Sequence, residues 1–337
     1  MHFIITFALV AQALAISSDQ QQQPLVKNPR KYSVQTPPLD TDWTYQVGTN
    51  PWPQYPRPKL VRSQWKSLNG IWTYSSASSR GAVSDPPFNT TLSQEVLVPF
   101  CLESGLSGIQ GSNTIYSWYK TAFTVPSSWK SERVLLNFGA VDYEATVFVN
   151  GHNATFHRGG YSAFSVDVTD YLNGQQNELI VFAFDPTDGD DFVIPVGKQT
   201  LNPSHIFYRP CSGIWQTVWI EPAPKNHISD LNINGDAGGQ VNLTVIASQS
   251  KSSSVDITIR EKGSKTLVAK HSGFVGSPIT FTVQSANLWS PDSPTLYDVS
   301  IKMGADNITT YTGFRTVSKD RANGVQRVFL VSLSAST

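Results

Sequence analysis

The chain has no excess of either charge and very little cysteine, and both scarcities exclude classes of protein. It contains 337 residues, in which 25 Lys and Arg are balanced by 25 Asp and Glu. A chain without net charge lacks the basic surface that binds nucleic acids or anionic membranes, so we expect neither as a partner. Two cysteines are too few for a structural zinc site, and we expect no metal.

Common catalytic motifs are also missing. The sequence contains no H-E-x-x-H, no G-x-S-x-G, no C-x-x-C and no glycine fingerprint for a dinucleotide. An acidic loop, residues 185–191, offers oxygen ligands for calcium or paired carboxylates for hydrolysis of a glycosidic bond. Its irregular spacing favours a solvated loop instead. We therefore expect no cofactor and name no catalytic residue.

The N-terminus predicts export. Residues 3–15 form an apolar run that is too short to span a bilayer and ends in Ala-Leu-Ala, so we predict a signal peptide at residues 1–15. Residues 16–50 are polar and read as an extended arm. Four Asn-x-Ser/Thr glycosylation motifs fit a secreted, extracellular protein: Asn89, Asn153, Asn242 and Asn307.

The two cysteines leave two interpretations open. In an oxidising compartment Cys101 and Cys211 could form a disulfide that closes a long loop, which is worth roughly 4 to 5 kcal/mol by chain entropy. They could equally be two buried free thiols. The spacing alone favours neither.

An alternating pattern predicts an all-β protein. Residues 142–149 place Ala145, Val147 and Val149 on one face and Phe148 on the other, and Asn150-Gly151 follows as a strong hairpin signal. Similar short strands recur over residues 51–224 without a convincing helix, which predicts a jelly-roll sandwich. Strands at shorter, regular intervals over residues 225–317 predict an immunoglobulin-like sandwich.

Aromatic and polar side chains on such a sandwich are a usual platform for sugars, because a ring face covers the apolar face of a pyranose while polar groups bind its hydroxyls. The candidate aromatics are Trp52, Trp65, Tyr208, Trp215 and Trp289, although packing in the core or against a linker is the commoner role for each one alone. In residues 197–209, polar side chains that can form several hydrogen bonds stand beside an aromatic side chain. The predicted sugar-binding residues are Gln199, Tyr208, Arg209 and Trp215.

Seven ordered segments carry a family resemblance: LNGIW (68–72), VPFCLES (98–104), WYKTAF (118–123), NFGAVDYEATVFVNG (137–151), HRGGYSAFSVDVT (157–169), SGIWQTVWIE (212–221) and LWSPDSPTLYDV (288–299). The chain resembles glycoside hydrolase family 2. The resemblance implies a galactose-binding-like jelly roll, an immunoglobulin-like domain and then a TIM barrel, whose two glutamates perform a retaining hydrolysis of β-glycosides.

Residues 318–337 resemble the truncated start of that barrel, and the rest of the barrel is expected to be missing. The resemblance thus predicts a non-catalytic N-terminal part that is inactive alone and has two partners, a carbohydrate and the missing barrel domain. It also places Gln199, Tyr208 and Arg209 near the sugar. The alternative is a free-standing, lectin-like module that binds carbohydrate without any barrel.

Overall fold

The computed structural model describes residues 28–36, 40–111, 114–189, 191–249 and 252–331. The predicted signal peptide, residues 1–15, lies outside them. The described residues form β-strands and a few short 3-10 helices, which confirms the predicted all-β class. None of their helices is long and apolar enough to cross a membrane. The 3-10 helices are Arg80–Ser84, Gly105–Ser107, Ser127–Trp129 and Thr169–Tyr171.

The first domain is a jelly-roll sandwich. Its strands are β1 (Lys66–Ser67), β2 (Gly70–Ser76), β3 (Gln94–Val98), β4 (Tyr116–Thr124), β5 (Arg133–Phe138), β6 (Val141–Asp142), β7 (Glu144–Val149), β8 (His152–Arg158), β9 (Phe164–Asp167), β10 (Gln176–Phe184), β11 (Gly213–Ile214) and β12 (Val218–Ala223). A six-stranded sheet, β3-β2-β4-β10-β7-β8, faces a four-stranded sheet, β1-β12-β5-β9. Tyr119 and Leu136, one from each sheet, share the buried core between them.

The predicted hairpin is confirmed. β7 pairs antiparallel with β8 across Asn150 and Gly151, whose φ angles of 47° and 87° are those a tight hairpin turn requires. The alternation of β7 also holds, because Val147 faces the core between the sheets. Phe148 enters a second apolar cluster on the outer side of the six-stranded sheet.

The second domain is an immunoglobulin-like sandwich. Its strands are β13 (Ile228–Gly235), β14 (Gln240–Ala247), β15 (Ser254–Glu261), β16 (Leu267–Phe274), β17 (Ile279–Thr282), β18 (Tyr297–Met303) and β19 (Asp306–Thr312). They form the sheets β13-β14-β17 and β16-β15-β18-β19. Buried and exposed residues alternate along β19, as the period of two in a strand requires.

A strap of chain ahead of β1, residues 51–65, joins the two domains. The sequence assigns it to the jelly roll, yet Leu60 is buried in the core of the second domain and Val61 pairs with Thr309 of β19. Arg62 follows and is 5% exposed. It donates to Glu221 of the first domain and to Asp306 of the second.

The described chain ends in a hairpin of β20 (Thr316–Ala322) and β21 (Val325–Val331), in the region that resembles the start of a barrel. These two strands form a sheet of their own. Four of its apolar side chains are 43% to 68% exposed: Val317, Val325, Val328 and Leu330.

Candidate functional site

The loops at one end of the jelly roll bring three carboxyl groups together. β6 pairs with β11, which places Asp142 opposite Gly213, and Asp185 follows directly after β10. Glu103 lies in the loop after β3. We call Glu103, Asp142 and Asp185 the acidic cluster. Asp142 and Asp185 are only 5% and 6% exposed, so the protein holds this cluster largely out of water.

Ser212 links two members of the cluster. Its backbone N–H donates to Oε2 of Glu103 at 2.9 Å, while its Oγ lies 2.6 Å from Oε1 of Glu103 and 2.7 Å from Oδ2 of Asp185. A serine hydroxyl has one proton and donates one hydrogen bond. When both contacts are hydrogen bonds, one of the two carboxyls carries a proton and donates it to Oγ.

The electrostatics agree with a protonated cluster. Burial raises the pKa of Asp142 to about 7, and the neighbouring charge of Asp185 adds to the effect, while the Gln199 side chain opposes it. Burial likewise raises the pKa of Asp185 and of Glu103, and their hydrogen bonds with Ser212 oppose that rise. With a pKa of about 7, Asp142 therefore exists in both its protonated and its ionised form around neutral pH.

A disulfide holds this arrangement in place. Cys101 and Cys211 are joined, with their Cα atoms 4.6 Å apart and a sequence separation of 110. Cys211 directly precedes Ser212, and the Leu102 N–H donates to the Ser212 carbonyl at 3.1 Å. The crosslink thus fixes the two chain segments that carry Ser212 and Glu103 side by side.

Three of the predicted sugar-binding residues lie on one loop beside the cluster. Gln199 accepts a hydrogen bond from the Cys211 N–H at 2.6 Å. Tyr208 lies next to Gln199. The Tyr208 N–H donates to the Lys198 carbonyl at 2.8 Å, and the Tyr208 carbonyl accepts from the Thr200 N–H. Tyr208 is 64% exposed and Arg209 is also exposed. These side chains are therefore accessible at the rim.

Trp215, the fourth predicted residue, reaches the cluster from the other side. Its indole Nε1 donates to the Gly160 carbonyl at 2.8 Å, and Tyr161 packs edge-on at 5.2 Å between ring centroids. Gly160 in turn lies so close to Asp142 that a Cβ on it would overlap the carboxylate. Gln199 therefore lies beside Asp142, Tyr208 and Arg209 share its loop, and Trp215 reaches the cluster only through Gly160.

The acidic loop behaves differently from the favoured sequence interpretation. Asp185 is buried and bonded to Ser212 and the Thr187 N–H, while Asp188 accepts from the Thr200 hydroxyl and the Leu201 N–H. Asp190 lies outside the described residues. No group of three or more His, Cys, Asp or Glu within the described ranges is arranged to hold a metal. The loop is thus structural at its start, and the calcium alternative gains no support.

The other aromatic candidates have different roles. Trp65 packs against the Tyr55 ring at 5.3 Å, and Trp289 lies under the Arg315 guanidinium at 4.6 Å. Both are packing residues. Trp52 is 53% exposed and is considered below.

Sequence reasoning passed over Glu103, Asp142 and Ser212. All three lie inside conspicuous segments, VPFCLES, AVDYEA and SGIWQ, but one or two acids or a serine within such a segment give no local signal. Only the pairing of β6 with β11 and the crosslink at Cys211 bring them together.

Comparisons with known proteins point to one family. The model described as glycosyl hydrolases family 2, sugar binding domain, matches residues 65–219, and the model described as glycosyl hydrolases family 2 matches residues 226–315. These two ranges coincide with the two β-sandwiches.

Two relatives with sequence similarity to the chain point to the same family. A β-galactosidase of Thermoanaerobacter pseudethanolicus is 29% identical over 224 residues, which are 60% of this chain and 28% of that protein. A β-glucuronidase of Paenibacillus borealis is 24% identical over 289 residues, 78% of this chain and 47% of the relative.

Solved structures show the same fold. A β-glucuronidase of an uncultured Clostridium species superposes with a TM-score of 0.63 at 26% identity, covering 78% of this chain and 47% of that one. A Ruminococcus gnavus β-glucuronidase in complex with D-glucuronic acid gives a TM-score of 0.65 at 20% identity, covering 82% and 50%. The chain spans half or less of the length of these relatives. With both sandwiches matched in order, the chain belongs to glycoside hydrolase family 2, of which it carries the sugar-binding and immunoglobulin-like domains.

Proposed function

We propose that this chain acts as the non-catalytic N-terminal part of a secreted β-glycoside hydrolase, and that the loop end of its jelly roll recognises the sugar. The acidic cluster, with Gln199, Tyr208 and Arg209 on the adjacent loop and Trp215 against Gly160, is the observation that carries the proposal. The exposed ring of Tyr208 offers an apolar face, and the side chains of Gln199 and Arg209 beside it offer hydroxyl partners, which is the combination a pyranose needs.

The same cluster argues against hydrolysis by these two domains alone. A glycosidase places two carboxyls on either side of the scissile bond, about 5 to 9.5 Å apart, with room for the sugar or a water between them. Here Glu103 and Asp185 both contact the one hydroxyl of Ser212, which fills the space between them. We infer that turnover requires a separate catalytic domain.

The hairpin of β20 and β21 supports the proposal that such a domain packs beside this chain. A two-stranded sheet alone is marginally stable in water, and this one exposes Val317 and Val328 by 62% and 68%. A covering domain would bury these side chains. The loop near the acidic cluster exposes apolar residues as well, Ile206 by 62% and Phe207 by 48%.

Secretion is supported by two independent features. A disulfide persists in oxidising compartments, and Cys101 and Cys211 form one. All four glycosylation motifs lie at exposed positions, so their asparagines are open to modification: Asn89, Asn153, Asn242 and Asn307. Digestion of the secreted protein with an N-glycosidase should lower its apparent mass. An unchanged mass after expression in a eukaryotic host would count against secretion.

Activity measurements test whether the chain needs a separate catalytic domain for turnover. The purified chain is incubated with aryl β-galactoside, β-glucuronide, β-mannoside and β-glucoside, first alone and then with the separately expressed catalytic domain of a family relative. We expect no turnover alone and increased turnover of one glycoside in the mixture. Saturable turnover by the chain alone would overturn the proposal. Tight sugar binding without any effect on the catalytic domain would favour the lectin-like alternative.

A further inference from the structure

A pocket separate from the acidic cluster lies between the start of the strap and the jelly-roll loops. It has a volume of about 460 Å³, within the range of roughly 300 to 1,000 Å³ typical of small-molecule sites. Gln54, Gln216 and Thr217 supply polar groups in its lining. Its other walls include the indoles of Trp52 and Trp215. This combination of two indoles with several amide and hydroxyl groups suits a sugar better than a purely apolar ligand.

The indole of Trp215 and the backbone of Trp52 are held in place before any ligand arrives. Trp215 is fixed by its bond to Gly160 and by the edge of Tyr161. Trp52 has a positive φ of 52°, which is unusual for a bulky residue, and it follows the buried Pro51. The Asn69 side chain donates to the Pro51 carbonyl at 3.2 Å and ties it to the domain. The exposed ring of Trp52 is therefore presented on an anchored backbone.

Two other pockets of similar volume lack this feature. One of about 480 Å³ contains Trp129, and one of about 420 Å³ contains Trp72. These two rings are buried, 4% and 2% exposed, so neither offers a face to a ligand. Trp52, in contrast, is 53% exposed.

The charge of the pocket selects among sugars. Arg57 is the one ionisable residue in its lining, and its guanidinium is paired with the fully buried Glu221. Because Glu221 already offsets the charge of that guanidinium, the pocket offers a uronic acid no uncompensated positive charge. A neutral sugar needs only the hydroxyl partners.

We propose that the pocket between Trp52 and Trp215 binds a neutral pyranose as a subsite separate from the acidic cluster, a proposal that rests on the sugar recognition proposed above. The ring of Trp52 covers one face of the sugar, and the side chains of Gln54 and Gln216 bind its hydroxyls. The site would thus hold a second unit of a β-glycoside chain or a neutral glycan.

Calorimetric titration of the full chain tests the proposed subsite. The ligands are methyl β-D-galactopyranoside, methyl β-D-glucopyranoside and methyl β-D-glucuronide. We expect a neutral glycoside to bind more tightly than the glucuronide. Trp52→Ala should weaken that binding by about tenfold, as loss of a stacked ring predicts, and Trp52→Phe should restore part of it. Trp43→Ala is the matched control, because Trp43 is 72% exposed but does not line the pocket.

The outcomes separate this proposal from the one it rests on. Binding that is unchanged in Trp52→Ala but lost in Gln199→Ala would overturn the pocket and leave sugar recognition at the acidic cluster intact. A preference for the glucuronide would also overturn it. Absence of binding by every glycoside would overturn both proposals for sugar recognition.

Discussion

Arg62 and Asp306 form a two-bond ion pair across 244 residues of chain, with Nε to Oδ1 at 3.2 Å and Nη2 to Oδ2 at 2.8 Å. The same guanidinium reaches Glu221 of the jelly roll at 3.0 Å. A single side chain on the strap therefore pairs with one buried carboxylate from each domain. This contact sets how the two sandwiches meet.

Removing that guanidinium should destabilise both domains together. Arg62→Met leaves Glu221 and Asp306, 0% and 3% exposed, without this cation, and breaking a buried pair costs roughly 3 to 5 kcal/mol. Urea unfolding measures the loss. Lys59→Met is the control, since its pair with Asp230 is exposed and worth no more than about 1 kcal/mol. Equal effects of the two substitutions would contradict the assigned role of Arg62.

The acidic cluster predicts a stability that falls as the pH rises. Because burial raises the pKa of Asp142 from 3.8 to about 7, the folded state binds this proton more tightly than the unfolded state. The stabilisation is complete below about pH 4 and is lost as the pH approaches 7. We expect Asp142→Asn to flatten the decline between pH 5 and 8 by roughly 2 kcal/mol.

Chemical denaturation at several pH values provides that comparison. Asp292→Asn, at an exposed position in the second domain, should leave the profile unchanged. If wild type and Asp142→Asn decline in parallel, the cluster does not hold the proton.

Gly160 should tolerate no side chain. A Cβ there would overlap the carboxylate of Asp142, so Gly160→Ala forces a shift that costs roughly 1 to 3 kcal/mol. The shift should also disturb the indole of Trp215, which changes tryptophan fluorescence. Gly81→Ala offers a control, since its Cβ would lie 3.5 Å from the Ser79 hydroxyl. A thermal midpoint equal to that of wild type would argue against the close packing at Gly160.

Reduction should weaken the domain. The disulfide closes a loop of 110 residues, for which the chain-entropy model gives about 4 to 5 kcal/mol. Urea unfolding with and without dithiothreitol should show a lower midpoint in the reductant. The double variant Cys101→Ala and Cys211→Ala should unfold at that lower midpoint in both conditions. A midpoint insensitive to reductant in the wild type would contradict this contribution.

Much of the architecture follows from local pattern. The alternation in residues 142–149 and the Asn150-Gly151 turn predict β7 and its hairpin, because a strand period and a turn conformation depend on neighbouring residues only. The choice of Gln199, Tyr208, Arg209 and Trp215 rested on residue type. The structure places the first three on one loop and Trp215 against Gly160, and their role in sugar binding stays a prediction.

What local pattern could not supply are the contacts between distant residues. The chain's own sequence determined its β class, its two sandwiches and its membership of glycoside hydrolase family 2, since short-range periodicity and ordered segments carry that information. The tertiary structure decided that Leu60 enters the second core, that Arg62 joins Glu221 to Asp306, and that Glu103, Asp142 and Asp185 share one buried site. These contacts form only when remote segments fold together, and no local sequence signal marks which distant residues will meet.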